Sequence, residues 1–126
     1  MNVSLAGIAE KNGAYFLALR KPGTTIGESW EFPGGKAEPG ERYEQTLVRE
    51  YMEEFSTPVT VSERIFAGSF ANGDREFTLL AYKITINGDI RELPEHQKYG
   101  WFTPDQMDAL KMADSDRMIA DYLKTL

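Results

Sequence analysis

The chain of 126 residues contains no cysteine, which excludes disulfide bonds, thiolate nucleophiles and zinc sites built on thiolates. Basic residues are also few, because 14 lysines and arginines face 20 aspartates and glutamates, for a net charge of -6. An acidic chain has no surplus of cations to neutralise phosphates, so we expect no nucleic-acid polymer as a partner. No segment approaches the roughly 20 apolar residues of a membrane span. Residues 1–7 lack the basic start and apolar run of a signal peptide, so a cytoplasmic protein without a membrane partner is expected.

Length and composition predict one domain that covers residues 1–126, because the chain is too short for two independent cores. Six segments have the apolar content and bounding turn residues of strands: Val3–Ala9, Ala14–Arg20, Trp30–Phe32, Pro58–Phe70, Arg75–Ile86 and Gly100–Phe102. A glycine-rich loop is predicted over 21–29 and a polar loop over 87–99. Strands and helices in this order favour an α/β fold with a mixed sheet.

Two helices are predicted, over Tyr43–Phe55 and over Asp116–Lys124. Thr103 followed by Pro104 is typical of the start of another helix. In the helix at 43–55, an apolar stripe is expected to face the core; it consists of Leu47, Val48, Tyr51 and Phe55.

Three carboxylates lie on one face of the helix at 43–55. Glu50, Glu53 and Glu54 occupy positions i, i+3 and i+4, which share one arc at about 100° per residue. Like charges at this spacing destabilise an isolated helix by about 0.2–0.5 kcal/mol per pair. A hard divalent cation reverses the sign of that cost, because Mg²⁺ and Mn²⁺ prefer carboxylate oxygens. The alternative interpretation is an ordinary solvated acidic face.

The segment 35–57 resembles the Nudix box, G-x5-E-x7-R-E-U-x-E-E-x-G-U, in which U is a bulky aliphatic residue. Gly35 matches its first glycine, Glu41 its first glutamate, and 49–54 (REYMEE) its acidic core. The preceding segment 30–36 (WEFPGGK) is similar to the strand and turn of the MutT branch of that family. The resemblance implies the Nudix α/β/α sandwich over nearly the whole chain.

Three positions differ from the box. Tyr51 and Thr57 replace aliphatic residues, and Ser56 replaces the glycine that follows the helix. None of these changes removes a carboxylate. Because glycine usually supplies the left-handed cap of a helix, we expect this helix to end by a different turn.

The resemblance further implies a Mg²⁺ site, in which Mn²⁺ substitutes. Its ligands would be Glu50, Glu53 and Glu54, completed by the carbonyl of Gly34, and one of the helix carboxylates would orient the attacking water. Arg49 would pair with the helix carboxylates and fix their rotamers, together with the first glutamate of the box. An ordinary surface cation is the alternative interpretation of Arg49.

Glu95 and the single histidine, His96, precede Trp101 by a few residues. MutT-like sequences often carry an acidic residue before a strand tryptophan, where it is an extra metal ligand or general base, so the resemblance implies that role for Glu95. A solvated loop residue is the alternative. We expect His96 to be a loop residue or a hydrogen-bond partner rather than a catalyst.

Substrate contacts are expected from three parts of the chain. Arg20 stands where MutT-like enzymes have an arginine that reaches the substrate, although a solvated strand end is equally consistent. The strand and turn supply four further residues: Glu31, Phe32, Pro33 and Gly34. Phe32 either stacks on a nucleobase or belongs to the core. Asp116 matches the base-reading residue of the family's A-[DN]-x-P-U stretch, or else caps the last helix; ionised, it would only accept hydrogen bonds and favour guanine or cytosine.

The leading hypothesis is a Mg²⁺-dependent Nudix pyrophosphohydrolase that acts on a small nucleotide. It would convert a (deoxy)nucleoside triphosphate, such as 8-oxo-dGTP or a CTP-type substrate, to the monophosphate and pyrophosphate. Alternatives are hydrolysis of another nucleoside diphosphate derivative such as ADP-ribose, a non-catalytic nucleotide-binding module, and an acidic structural domain. The intact acidic core favours the enzyme. A monomer or a homodimer is expected.

Overall fold

The computed structural model describes residues 2–23, 28–91 and 93–126. Among them are seven strands: β1 (Asn2–Lys11), β2 (Ala14–Arg20), β3 (Trp30–Glu31), β4 (Gly34–Gly35), β5 (Val59–Asn72), β6 (Arg75–Ile86) and β7 (His96–Phe102). The helices are α1 (Tyr43–Phe55), α2 (Pro104–Met107) and α3 (Asp114–Lys124). None of the helices in this part of the chain has the length and apolar character needed to span a bilayer.

Strand β1 lies in the middle of a mixed sheet whose order is β3-β2-β1-β6-β5. It runs parallel to β6 and antiparallel to β4, the short strand made of two glycines. Strand β2 pairs antiparallel with β3 and with β7. Strand β2 therefore brings the WEFPGGK segment and the start of β7 close together, although they are far apart in the sequence.

Alternation of side chains along the strands divides the interior into two cores. Leu5 and Phe16 belong to the cluster that α1 covers, whereas Ala6 and Leu17, the next residues of the same strands, belong to the cluster that α2 and α3 cover. Successive residues of a strand point to opposite faces of a sheet, so both faces of this sheet are buried under helices. This confirms the expected single-domain α/β/α sandwich with a mixed sheet.

Several predicted boundaries are wrong. Strand β7 begins at His96, inside the predicted polar loop, because pairing with β2 extends it over polar residues that have no strand pattern of their own. Helix α3 begins at Asp114, two residues earlier than predicted. Residues 24–27 of the predicted glycine-rich loop, and Glu92 of the polar loop, lie outside the described residues.

The buried face of α1 is rotated from the predicted one. Val48 is 40% exposed, so its predicted place in the core is wrong. The buried residues of the helix are instead Thr46, Leu47, Tyr51, Glu54 and Phe55. The helix therefore turns a carboxylate, rather than a valine, toward the interior.

Ser56 ends α1 in the left-handed conformation, with φ 50° and ψ 41°. Its backbone N–H donates to the carbonyl of Met52 at 3.0 Å. The expectation of a different turn is therefore wrong, because the serine adopts the conformation that glycine usually supplies.

We expect Ser56→Gly to raise the free energy of unfolding by about 0.5–1 kcal/mol, since a side chain is strained in the left-handed region and glycine is not. Urea denaturation measures the change. Ser69→Gly, at an exposed position of β5, is the matched control and should be destabilising, because glycine weakens a strand. A free energy of unfolding that falls in Ser56→Gly would contradict the prediction.

Candidate active site

The two glycines of β4 let the backbone approach β1 and α1 closely. A Cβ on Gly34 would lie 1.9 Å from the carbonyl oxygen of Leu5, and one on Gly35 would lie 2.6 Å from the carboxylate of Glu50. Such contacts are well inside van der Waals distance, so a side chain at either position would displace the strand or the carboxylate. The glycine turn is thus packed directly against the first carboxylate of the helix.

Arg49 is the centre of an ion-pair network at the outer edge of this turn. Its Nε donates to Glu41 Oε2 at 2.8 Å, and its Nη1 donates to Glu50 Oε1 at 3.0 Å and to Glu53 Oε2 at 3.2 Å. Hydrogen bonds from Arg49 are the main cause that lowers the pKa of Glu41 to about 2. Arg49 therefore contacts helix carboxylates and the first glutamate of the box, which is the pairing that the resemblance implied.

Glu54 is a buried carboxyl group in an unusual electrostatic position. It is 4% exposed, and its Oε2 has no hydrogen-bond partner among the described residues. Burial is the main cause that raises its pKa to about 10, with further contributions from the charges of Glu31, Glu50 and Glu95. Burial also raises the pKa of Glu50, against the opposing effect of Arg49. The structure thus brings Glu95, predicted from a distant segment, to the carboxylates of α1.

Glu53 differs from its two partners in the acidic face. Its side chain is 56% exposed, and it contacts Arg49. The acidic face therefore has a buried member, Glu54, a half-buried member, Glu50, and a solvent-facing member.

The acidic cluster has the chemistry of a site for a hard divalent cation. Its donors are carboxylate oxygens, which Mg²⁺ and Mn²⁺ prefer. A buried carboxyl oxygen without a hydrogen-bond partner is costly unless a proton or a cation neutralises the group. The Oε2 of Glu54 is such an oxygen, so the residues present fit the metal that the resemblance implied.

Glu31 lies between two cationic or hydrogen-bonding side chains. Its Oε1 accepts from Arg20 Nη1 at 3.0 Å, and its Oε2 is 2.7 Å from His96 Nε2. The same nitrogen of His96 is 3.9 Å from Glu54 Oε1. One ligand atom from each of Glu31, Glu54 and His96 lies within 4.8 Å of the others. His96 is thus a hydrogen-bond partner, as expected, although it belongs to a strand rather than to a loop.

A cavity of about 330 Å³ opens beside the glycine turn. Five of its lining residues were predicted to bind substrate: Arg20, Glu31, Phe32, Gly34 and Asp116. Others were not predicted, among them Ser4, Lys36, Phe70, Asn72, Phe77 and Ser115. The hairpin of β5 and β6 supplies three of these, and nothing in its strand pattern indicates which residues face a cavity.

Asp116 lies in the first turn of α3 and does not cap it, since the N-cap is Ala113. Its Oδ1 accepts a hydrogen bond from the backbone N–H of Phe32 at 3.1 Å. Burial is the main cause that raises the pKa of Asp116 to about 8, with a contribution from the charge of Glu31. Asp116 therefore holds its proton to a higher pH than an ordinary aspartate does, whereas the sequence argument considered only its ionised form. The ring of Phe32 is 3% exposed and packs in the core, so its backbone is what meets Asp116.

Tyr51, which replaces an aliphatic residue of the box, contacts the backbone of the turn through its hydroxyl group. Its hydroxyl is fully buried and lies 3.1 Å from the carbonyl oxygen of Pro33 and 3.2 Å from that of Gly7. The Pro33 carbonyl also accepts from the Gly7 N–H at 2.9 Å. Pro33 therefore helps to fix the turn that carries Gly34. Thr57, the other changed position, is fully buried as well.

A carboxylate cluster near a cavity, on an α/β/α sandwich, is typical of hydrolases that use a metal ion. The family model described as the NUDIX domain matches residues 1–123. The chain is 32% identical over 112 residues to a CTP pyrophosphohydrolase of Escherichia coli (strain K12), covering 89% of this chain and 83% of the relative. It is 34% identical over 85 residues to an 8-oxo-dGTP diphosphatase of Proteus vulgaris, covering 68% and 76%.

Solved structures show the same relationship. The solution structure of the E. coli ORF135 protein superimposes with a TM-score of 0.86 at 30% identity, covering all of this chain and 91% of the other. A MutT protein from Methanosarcina mazei Go1 has a TM-score of 0.84 at 17% identity, covering 98% and 93%, and shares the fold. The chain belongs to the NUDIX domain family and is a Nudix hydrolase.

Proposed function

We propose that this hydrolase converts a (deoxy)nucleoside triphosphate to the monophosphate and pyrophosphate with the help of Mg²⁺, for which Mn²⁺ substitutes. The observation that carries the proposal is the buried Glu54, which interacts with Glu50 and Glu95. The carboxylate of Glu50 packs against Gly35, which lines the cavity. Relatives at about a third identity are named for CTP and for 8-oxo-dGTP. Their names support a nucleoside triphosphate as the substrate class, over the single domain 1–126.

The metal would be held by the carboxylates of α1, by Glu95 and by the carbonyl of Gly34. Bound there, it would neutralise phosphate charge and lower the pKa of a bound water. Glu50, Glu53 and Glu95 are the candidates that orient the water and accept its proton. Arg49 holds Glu50 and Glu53 through its hydrogen bonds and so keeps their oxygens in place.

The substrate would enter the cavity next to these carboxylates. Arg20 is a cation that lines the cavity, and a guanidinium is suited to phosphate oxygens. Asp116 is the one acid of α3 that lines the cavity, and its hydrogen bond with the backbone of Phe32 fixes its orientation. We therefore assign Arg20 to the polyphosphate and Asp116 to the edge of the base, with Glu31 and Gly34 between them.

A release assay tests the proposal. Purified protein is incubated with Mg²⁺ and, separately, with each common (d)NTP, with 8-oxo-dGTP and with ADP-ribose, and the products are separated by ion-exchange chromatography. Monophosphate and pyrophosphate in equal amounts from a triphosphate support the proposal. Turnover of ADP-ribose alone would replace the substrate class, and no turnover of any substrate would leave a nucleotide-binding module.

Base selection at Asp116 should depend on pH. Below its pKa of about 8 the carboxyl group is protonated and offers one donor and one acceptor, which complements N3 and the amino group of cytosine. Above that pKa it is ionised and offers acceptors alone, which complements N1–H and N2–H of guanine. We therefore expect the ratio of kcat/KM for CTP to that for GTP to fall about tenfold between about pH 6.5 and about pH 9.

Two substitutions check this prediction. Asp116→Asn keeps an oxygen for the Phe32 N–H and has a permanent N–H donor, so its CTP to GTP ratio should not change with pH. Asp116→Ala should raise KM and flatten the preference among bases. A wild-type ratio that is constant with pH, or that varies equally in Asp116→Asn, would show that Asp116 does not read the base.

A further inference from the structure

His96 is buried between the cavity and the acidic cluster, and the established activity assigns it no role. It is 1% exposed, and its ring stacks on Phe55 of α1 with a centroid distance of 5.1 Å and an interplanar angle of 22°. Its Nδ1 is buried and has no hydrogen-bond partner within the described part of the chain. The ring is therefore held by packing, and Nε2 is the polar atom that makes its contacts.

An irregularity in the sheet places His96 next to Arg20. Strand β2 pairs with β7 as Leu19 with Lys98 and then as Arg20 with His96, so one residue of β7, Gln97, is extra. The side chain of Gln97 donates from Nε2 to the carbonyl of Arg20 at 3.0 Å, so it connects the two strands at this irregularity. Bulges of this kind redirect side chains and are frequent beside active sites.

Glu31 connects the two side chains that the bulge brings together. One carboxylate oxygen accepts from Arg20 Nη1 at 3.0 Å, and the other is 2.7 Å from His96 Nε2. With both oxygens engaged, the carboxylate has little rotational freedom. Arg20 is a half-buried guanidinium whose position depends on Glu31, and it lines the cavity.

We propose that His96 is a positioning residue for substrate binding: it fixes the carboxylate of Glu31, which in turn fixes the guanidinium of Arg20 at the wall of the cavity. This inference rests on the proposed function, because it takes Arg20 as the group that binds the substrate phosphates. Substitution of His96 should therefore raise KM for the nucleotide, and this increase should depend on the presence of Arg20.

A double-mutant cycle on the full-length protein tests the chain of contacts. His96→Phe keeps a ring against Phe55 but removes the N–H donor, and we expect it to raise KM for the triphosphate about tenfold with kcat nearly unchanged. His96→Gln places a donor near the position of Nε2 and should restore KM to within about twofold of the wild type. In an Arg20→Ala background, His96→Phe should change KM less than about twofold, because the group through which it acts is gone.

A control variant separates the positioning role of His96 from a general effect of substitutions in β7. Lys98→Ala, at an exposed position of β7, should leave KM unchanged. His96→Asn, whose side chain is too short to reach Glu31, replaces His96→Phe if that variant does not fold. The binding of Mn²⁺ to the free protein, followed by electron paramagnetic resonance, should be the same in the His96 variants as in the wild type.

The outcomes are distinguishable. Additive increases of KM in the double variant would overturn the proposal, since His96 would then act independently of Arg20. Weaker Mn²⁺ binding with an unchanged KM would also overturn it, and would assign His96 to Glu54 instead. An Arg20→Ala variant with wild-type KM would refute the assignment of Arg20 under the proposed function. A raised KM in Arg20→Ala, together with a wild-type KM in the single variant His96→Phe, would refute the role of His96 alone.

Discussion

Glu54→Gln is expected to lower kcat by roughly 10²–10⁴-fold while the protein remains folded. The carboxylate is buried, one of its oxygens has no partner among the described residues, and an amide cannot supply the negative charge that a hard cation requires. Glu53→Gln should lower kcat on the same scale, because Arg49 directs this carboxylate toward the same cluster. Release of pyrophosphate at saturating nucleotide and Mg²⁺ measures both effects.

Glu44→Gln is the matched control, because Glu44 is exposed in the first turn of the same helix. It removes one negative charge from α1 without touching the cluster, so kcat should be unchanged. Wild-type kcat in both Glu53→Gln and Glu54→Gln would mean that the acidic face of α1 is not part of the catalytic machinery.

The stability of Glu54→Gln in chelator provides an independent readout. Burial raises the pKa of Glu54 from an ordinary value near 4.5 to about 10. The stability that this group contributes is therefore fully present below pH 4.5 and is lost as the pH rises toward 10. Because glutamine does not titrate, we expect Glu54→Gln to gain stability relative to the metal-free wild type between about pH 5 and about pH 9 in urea denaturation.

Removal of divalent cations is expected to abolish turnover, and either Mg²⁺ or Mn²⁺ should restore it. The physical reason is that the two arginines near the cluster are already engaged, Arg49 by Glu41, Glu50 and Glu53, and Arg20 by Glu31. Without a metal, the several negative charges of a polyphosphate would meet the carboxylates with too few free cations to compensate them. The assay compares protein treated with chelator and dialysed against metal-free buffer with the same protein after metal is added.

Metal binding itself can be separated from catalysis. Mn²⁺ titration followed by electron paramagnetic resonance should show binding in the wild type and at least about tenfold weaker binding in Glu54→Gln. Glu44→Gln should bind Mn²⁺ as the wild type does. Full turnover after careful metal removal, or equal Mn²⁺ affinity in Glu54→Gln, would contradict the assignment of a metal to this cluster.

Much of the fold follows from local patterns. The bounds of α1, the hairpin of β1 and β2, and the start of α2 at Pro104 agree with the structure, because helical periodicity and turn residues act over a few neighbouring positions. Boundaries that depend on a partner strand were less well predicted. Strand β7 begins at His96 because β2 is there to pair with it, and no feature of the polar segment itself shows that partner.

The arrangement of the site was only partly predictable. Glu95 could be assigned from its place before Trp101, and the structure brings it to Glu54. The rotation of α1 that buries Glu54 and exposes Val48 depends on how the helix packs on the sheet, and periodicity alone resolves a face only coarsely. The pairing of His96 with Glu31 requires three strands to meet, and its sequence signal was no more than a single histidine after Glu95.

By itself, the sequence determined the family, the spacing of the carboxylates on α1 and the glycines that let the backbone pass close to them, because these are properties of short segments. Only the tertiary structure decided which carboxylate is buried, that the pKa of Asp116 is raised by its surroundings, and that Arg20, Glu31 and His96 form one chain of contacts. The physical reason is that desolvation and charge–charge interactions depend on every group within a few ångströms, and most of those groups come from distant parts of the chain.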